Sequence, residues 1–118
     1  MITAPVTPQV CADIHQVLKE VFGYDQFRTG QDLVIRAATQ GQDTLVLMPT
    51  GGGKSLCYQI PALALAGITI VVSPLISLMQ DQVAQLKALG VAAECLNQSL
   101  SREQTMAIYQ DLHAGKIK

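Results

Sequence analysis

Two apolar rhythms alternate along the chain. Val10, Ile14, Val17, Leu18 and Val21 recur every three or four residues, the spacing of one helical face. Thr7-Pro8 ahead of them supplies an N-cap and a first-turn proline, and Gly23 supplies a stop. Residues 31–40 predict a second helix, with Leu33, Val34, Ala37 and Ala38 apolar and Gly41 closing it. Residues 43–48 are almost continuously apolar at their centre, as suits a strand buried on both faces. A helix is expected over 54–66, with Pro61 kinking it or ending it near Ile60. Residues 67–73, GITIVVS, are β-branched and predict a second buried strand.

Ser73-Pro74 again reads as an N-cap and a first-turn proline. The helix after it carries the stripe Leu75, Ile76, Met79, Val83 and Leu86, and Gly90 closes it. Residues 91–96 predict a third strand. Ser101 and Gln104 fit a capping box, opening a helix to about His113 with Gly115 beyond. Ile117 begins a fourth strand, and residues 1–6 read as a flexible arm. Alternating strands and helices predict an α/β fold, a mostly parallel sheet with helices on both faces.

Composition narrows the class. Of 118 residues, 49% are hydrophobic and 14% charged, which argues against disorder and suits one small domain. The longest apolar run, 60–72, is shorter than a membrane span and is broken by Pro61 and Gly67. The first residues have neither the basic nor the apolar segment of a signal peptide. Cys11, Cys57 and Cys95 are an odd number without metal-site spacing, so they read as reduced cytosolic thiols. His15 and His113 read as solvated or capping side chains. A net charge of −1 gives no basic footprint for nucleic acid, so if the chain touches DNA or RNA, bulk charge is not what does it.

The chemistry sits between the first strand and the helix after it. Residues 48–55 read MPTGGGKS. Thr50, Gly51, Gly52, Gly53, Lys54 and Ser55 have the order of a phosphate-binding loop. Glycines let several backbone N–H groups converge on one anion, and the following helix aims its positive end at the same place. Lys54 is then the cation for the outer phosphates and Ser55 the hydroxyl ligand for Mg²⁺. The usual pattern opens with glycine where this chain has Met48, and a glycine-rich hairpin with a surface lysine is the plainer alternative. Upstream, FGYDQFRTGQ at 22–31 gathers Tyr24, Arg28 and Gln31. Read alone, this stretch also fits a connector whose aromatics plug the core.

FGYDQFRTGQ, MPTGGGKS and VVSPLISLMQDQV at 71–83 occur in one order, and LNQS follows at 96–99. Together they closely resemble motifs 0, I and Ia of the RecQ family of superfamily 2 DNA helicases, over residues 13 to 118. In that family the phosphate loop commonly begins Met-Pro-Thr, which accommodates Met48. The resemblance implies a P-loop, RecA-like three-layer sandwich, incomplete at its C-terminal end, with 1–118 as the N-terminal part of the first helicase lobe. It implies ATP and Mg²⁺ at Thr50 to Ser55, and adenine recognition by Tyr24, Arg28 and Gln31. It implies contacts from Ser73, Pro74 and Ser77 to single-stranded DNA, although helix capping accounts equally well for Ser73 and Pro74. The partners implied are ATP and single-stranded or forked DNA, with no membrane, in a bacterial cytoplasm or nucleoid.

The family's D-E-x-H motif does not occur in these residues. Three readings of function follow. The parent protein unwinds DNA, 3′ to 5′ by resemblance, at the expense of ATP, and this chain holds its nucleotide half-site. Alternatively, the chain is a P-loop module that binds ATP or ADP without catalysis, or it has no independent function.

Overall fold

The structure is a computed structural model that describes residues 12–49, 51 and 53–118. The expected helix start at Thr7-Pro8, Val10, Cys11 and the arm over 1–6 lie outside the described residues, as do Thr50 and Gly52. The chain divides into two compact units, Met1–Gly67 and Ile68–Lys118.

The first unit holds α1 (Ile14–Glu20), α2 (Gln31–Thr39) and α3 (Leu56–Ala64), with α1 and α2 both packed on α3. Asp13 stands in extended backbone and accepts the His15 N–H through its carboxylate, which fixes the start of α1. Gly23 closes α1 as expected: its φ is 75°, and its N–H returns to the Lys19 carbonyl at 3.1 Å. The core is Ile14, Leu18, Ile35, Ile60 and Ala64, with Val17, Phe22, Phe27 and Leu56 packed against it.

Two expectations for this unit change. The inner face of α2 is Gln31 and Ile35, one turn apart, while Leu33 is 71% exposed. The face is rotated because α2 meets α3 along this line and the Gln31 side chain is drawn inward by the loop described below. Pro61 does not end α3 near Ile60: the helix runs on to Ala64, and the Leu65 N–H closes on the Pro61 carbonyl at 2.9 Å. Cys57, Ile60, Pro61 and Ala64 are all buried, and that packing outweighs the one helical hydrogen bond that proline removes.

The second unit holds α4 (Ile76–Ala88) and α5 (Arg102–His113). Ser101 and Gln104 form the expected capping box, with reciprocal bonds of 2.9 and 3.1 Å. Ser73-Pro74, however, does not cap α4. The helix begins at Ile76 after an extended Leu75, and the Ser73 hydroxyl instead accepts the Leu75 N–H at 3.3 Å in a local turn. On α4, Ile76, Met79, Val83 and Leu86 are half-buried, but Leu75 is exposed.

Among the described residues no strand is formed, so the structure does not bear out the expected sheet over 43–48, 67–73 and 91–96. A strand exists only when its N–H and C=O groups meet a neighbour's. One trace of such pairing is present. The Thr69 N–H donates to the Lys118 carbonyl and the Lys118 N–H donates to the Ala92 carbonyl, both at 2.9 Å. The last residue thus lies between the two expected strands of this unit, where Ile117 was read as the start of a fourth. Leu45, Leu47, Ile70 and Val72 are left exposed.

Candidate functional site

The site is built where the α1–α2 connector meets the glycine loop. Gly30 has φ 86°, which turns the connector into α2 and sets Arg28 and Gln31 three residues apart at its mouth. The Gln31 backbone N–H donates to the Arg28 carbonyl at 3.0 Å, and its Oε1 accepts the Arg28 backbone N–H at 2.8 Å. Its Nε2 reaches across to donate to the Gly53 carbonyl at 3.0 Å. Arg28 donates from its guanidinium to the Gly51 carbonyl. The connector therefore grips the glycine loop at two carbonyls through two side chains. Gln31 is 1% exposed, the one buried polar side chain among the described residues.

Gly53 fits this contact for two reasons. Its φ of 79° is costly for any residue with a Cβ, and a Cβ there would run into Nε2 of Gln31. Its carbonyl also receives a weak contact from the Cys57 thiol at 3.9 Å. Burial pushes the Cys57 thiol pKa up.

Lys54 and Ser55 follow directly. Lys54 is exposed and pairs with no carboxylate among the described residues. Ser55 is the N-cap of α3 by position, yet its hydroxyl makes no capping hydrogen bond. Among the described residues the Lys54 cation thus has no carboxylate partner and the Ser55 hydroxyl no capping bond, both at the N-terminal mouth of a nine-residue helix, where an anion is favoured.

The aromatics divide residue by residue. Phe22 and Phe27 pack on the core, as the plainer reading of the connector holds. Phe27 also meets the His15 ring, centroids 4.9 Å apart, and His15 lies 3.2 Å from the Arg36 guanidinium. Tyr24 is 54% exposed beside the loop-gripping residues in sequence, so core packing does not account for it. Ser73, Pro74 and Ser77 belong to the second unit, where Pro74 and Ser77 are exposed and Ser73 is half-buried. Two participants were missed from sequence. Cys57 stands four residues after Gly53, a helical hydrogen-bond spacing that marks it. Ile35 sits one turn beyond Gln31 and is fully buried in the core on the same face of α2, a position legible from the same spacing. Among the described residues no helix is long and apolar enough to cross a membrane.

Residues 28–117 match the DEAD/DEAH box helicase family. The ATP-dependent DNA helicase RecQ of Haemophilus influenzae is 59% identical over 102 residues, covering 86% of this chain and 16% of that protein. The RecQ-like DNA helicase blm-1 of Caenorhabditis elegans is 48% identical over 103 residues, covering 87% of the chain and 10% of the relative. The probable ATP-dependent DNA helicase RecS of Bacillus subtilis is 45% identical over 105 residues, with 88% and 21% covered. The chain thus spans about a fifth or less of the length of these relatives. With the loop, its grip and the matched stretch in agreement, the chain belongs to the DEAD/DEAH box helicase family and, within it, is of the RecQ type.

Proposed function

We propose that this chain is the nucleotide-binding half-site of an ATP-dependent DNA helicase of RecQ type. The observation that carries the reading is the pair of bonds from Arg28 and Gln31 to the Gly51 and Gly53 carbonyls, immediately before Lys54 and Ser55. That contact joins the two sequence motifs a nucleotide would lie between. Thr50, Gly51, Gly52 and Gly53 offer backbone N–H groups to the phosphates, and Lys54 neutralises the outer ones. Ser55, whose hydroxyl makes no capping bond, would hold Mg²⁺, which when bound would supply charge neutralisation at the phosphoryl group. Tyr24, Arg28 and Gln31 serve the adenine end, with Tyr24 exposed enough to offer a ring face.

In the whole protein, ATP hydrolysis drives DNA unwinding, 3′ to 5′, with single-stranded or forked DNA as the partner, in the cytoplasm or nucleoid. Ser73, Pro74 and Ser77 contact the DNA backbone. The helix start at Ile76, beyond Ser73-Pro74, counts against helix capping as their rival account and so supports this reading. The finer fold is the three-layer sandwich with a mostly parallel sheet. The bonds from Thr69 to Lys118 and from Lys118 to Ala92 support it, because they tie residue 118 by its main chain to both segments of this unit that were expected as strands. D-E-x-H, which would supply the water-activating carboxylate, does not occur among these residues, so the reading for the 118 residues by themselves is nucleotide binding without turnover.

The test is ATPase activity, with and without single-stranded DNA, in the protein that continues this chain through the remaining helicase motifs. DNA-stimulated hydrolysis, abolished by Lys54→Ala, is expected. Hydrolysis that ignores both DNA and Lys54 would overturn the assignment.

A further inference from the structure

We infer that Gln31 is a positioning residue for phosphate binding: its amide fixes the Gly53–Lys54 peptide plane, so the loop is held ready for a polyphosphate whatever base is attached. This rests on the P-loop reading and goes beyond the adenine role given to Gln31.

The argument starts from the amide itself. A glutamine amide has an oxygen with two acceptor lone pairs and a nitrogen with two N–H donors, and here one of each is committed to backbone. Oε1 takes the Arg28 N–H at 2.8 Å and Nε2 gives to the Gly53 carbonyl at 3.0 Å. The side chain is 1% exposed, so water does not compete for either end. A trans peptide points its C=O and the following N–H in opposite directions, and no described peptide is cis. Holding the Gly53 carbonyl toward Gln31 therefore turns the Lys54 N–H to the far side of that peptide. A phosphate loop needs its N–H groups turned outward together, and glycine at φ 79° does not hold that orientation unaided. The bond from Gln31 supplies the constraint. Arg28 acts likewise on the Gly51 carbonyl, so the connector clamps the loop on both sides of its centre. The Cβ clash at Gly53 shows how closely the two parts fit.

The probe is inorganic tripolyphosphate, which has no base. Its affinity for the chain is measured by calorimetry beside ATP and GTP, in the native chain, Gln31→Met, Gln31→Glu and Lys54→Ala. Gln31→Met removes both bonds at similar volume. Gln31→Glu keeps the acceptor for the Arg28 N–H but, when ionised, cannot donate to Gly53. Both Gln31 variants should bind tripolyphosphate about three- to tenfold more weakly, the worth of one hydrogen bond, and lose GTP affinity by a similar factor. For Gln31→Glu the deficit relative to the native chain should shrink as pH falls and the protonated carboxyl regains a donor. A residue that merely fills the core would show no such pH recovery. If Gln31→Met fails to fold by circular dichroism, the pH profile of Gln31→Glu decides alone. Unchanged tripolyphosphate affinity in the folded Gln31 variants, with ATP alone weakened, would overturn the inference and leave Gln31 a base reader. Retained tripolyphosphate binding in Lys54→Ala would instead overturn the P-loop reading beneath it.

Discussion

Replacing Ile35 by alanine should destabilise the first unit far more than replacing Leu33, although the two lie two residues apart on α2. Ile35 is fully buried between α2 and α3, whereas Leu33 is 71% exposed. Ile35→Ala removes three buried carbons, a transfer loss of roughly 2.4 kcal/mol at about 0.8 kcal/mol each. The cavity left behind raises this to about 3 kcal/mol, within the usual span for such truncations. Leu33→Ala removes as many carbons, but with only about three-tenths of the residue covered the loss is roughly 0.7 kcal/mol. With a urea slope of roughly 1–1.5 kcal/mol/M for a unit of this size, Ile35→Ala lowers the unfolding midpoint by about 2–3 M and Leu33→Ala by about 0.5 M. Far-UV circular dichroism in urea at low protein concentration reads both. Ile35→Ala should also weaken nucleotide binding, because Ile35 and Gln31 lie one turn apart on the buried face of α2. Equal midpoints for the two variants, or a cost below about 1 kcal/mol for Ile35→Ala, would refute the rotated face of α2.

Further outcomes are expected. The native chain should self-associate at micromolar concentration, because Leu47 and Val72 are 88% and 92% exposed on segments whose backbone lacks a full sheet partner; a Leu47→Lys, Val72→Lys double variant should run closer to a monomer in sedimentation, and a native chain that stays monomeric would count against this. Cys57 should alkylate more slowly than Cys95 at neutral pH: burial raises its thiol pKa, so less thiolate is present at a given pH and the onset of reaction moves upward, as peptide-resolved mass spectrometry would show. Ser101→Ala should cost about 1 kcal/mol through loss of the capping box, measured as a shift in the thermal midpoint. Gly53→Ala should lose most phosphate affinity, since strain at φ 79° and the clash with Gln31 add together; affinity within twofold of native would show the loop to be freer than it is drawn here.

Local signals alone determined much of this protein. The glycine run ending in Lys54-Ser55, the box at Ser101 and Gln104, and the stops at Gly23, Gly41, Gly90 and Gly115 each depend on residues a few positions apart, and those interactions are fixed by the order of the chain. The motif order from 22 to 83 carried the family for the same reason. What depended on distant neighbours was not legible. Whether α2 turned Leu33 or Ile35 inward was settled by where α3 lay, and whether Pro61 broke α3 by what packed around it. The strands are the sharpest case. An apolar run over 43–48 states a preference, but a strand is a relation between two segments, and only the tertiary structure supplies or withholds the second. The Gln31 amide shows the opposite side of the same dependence. A polar residue at the mouth of a helix reads as solvent-facing until the fold brings the Gly53 carbonyl 3.0 Å from its nitrogen, and that meeting, 22 positions away in sequence, is what makes it buried.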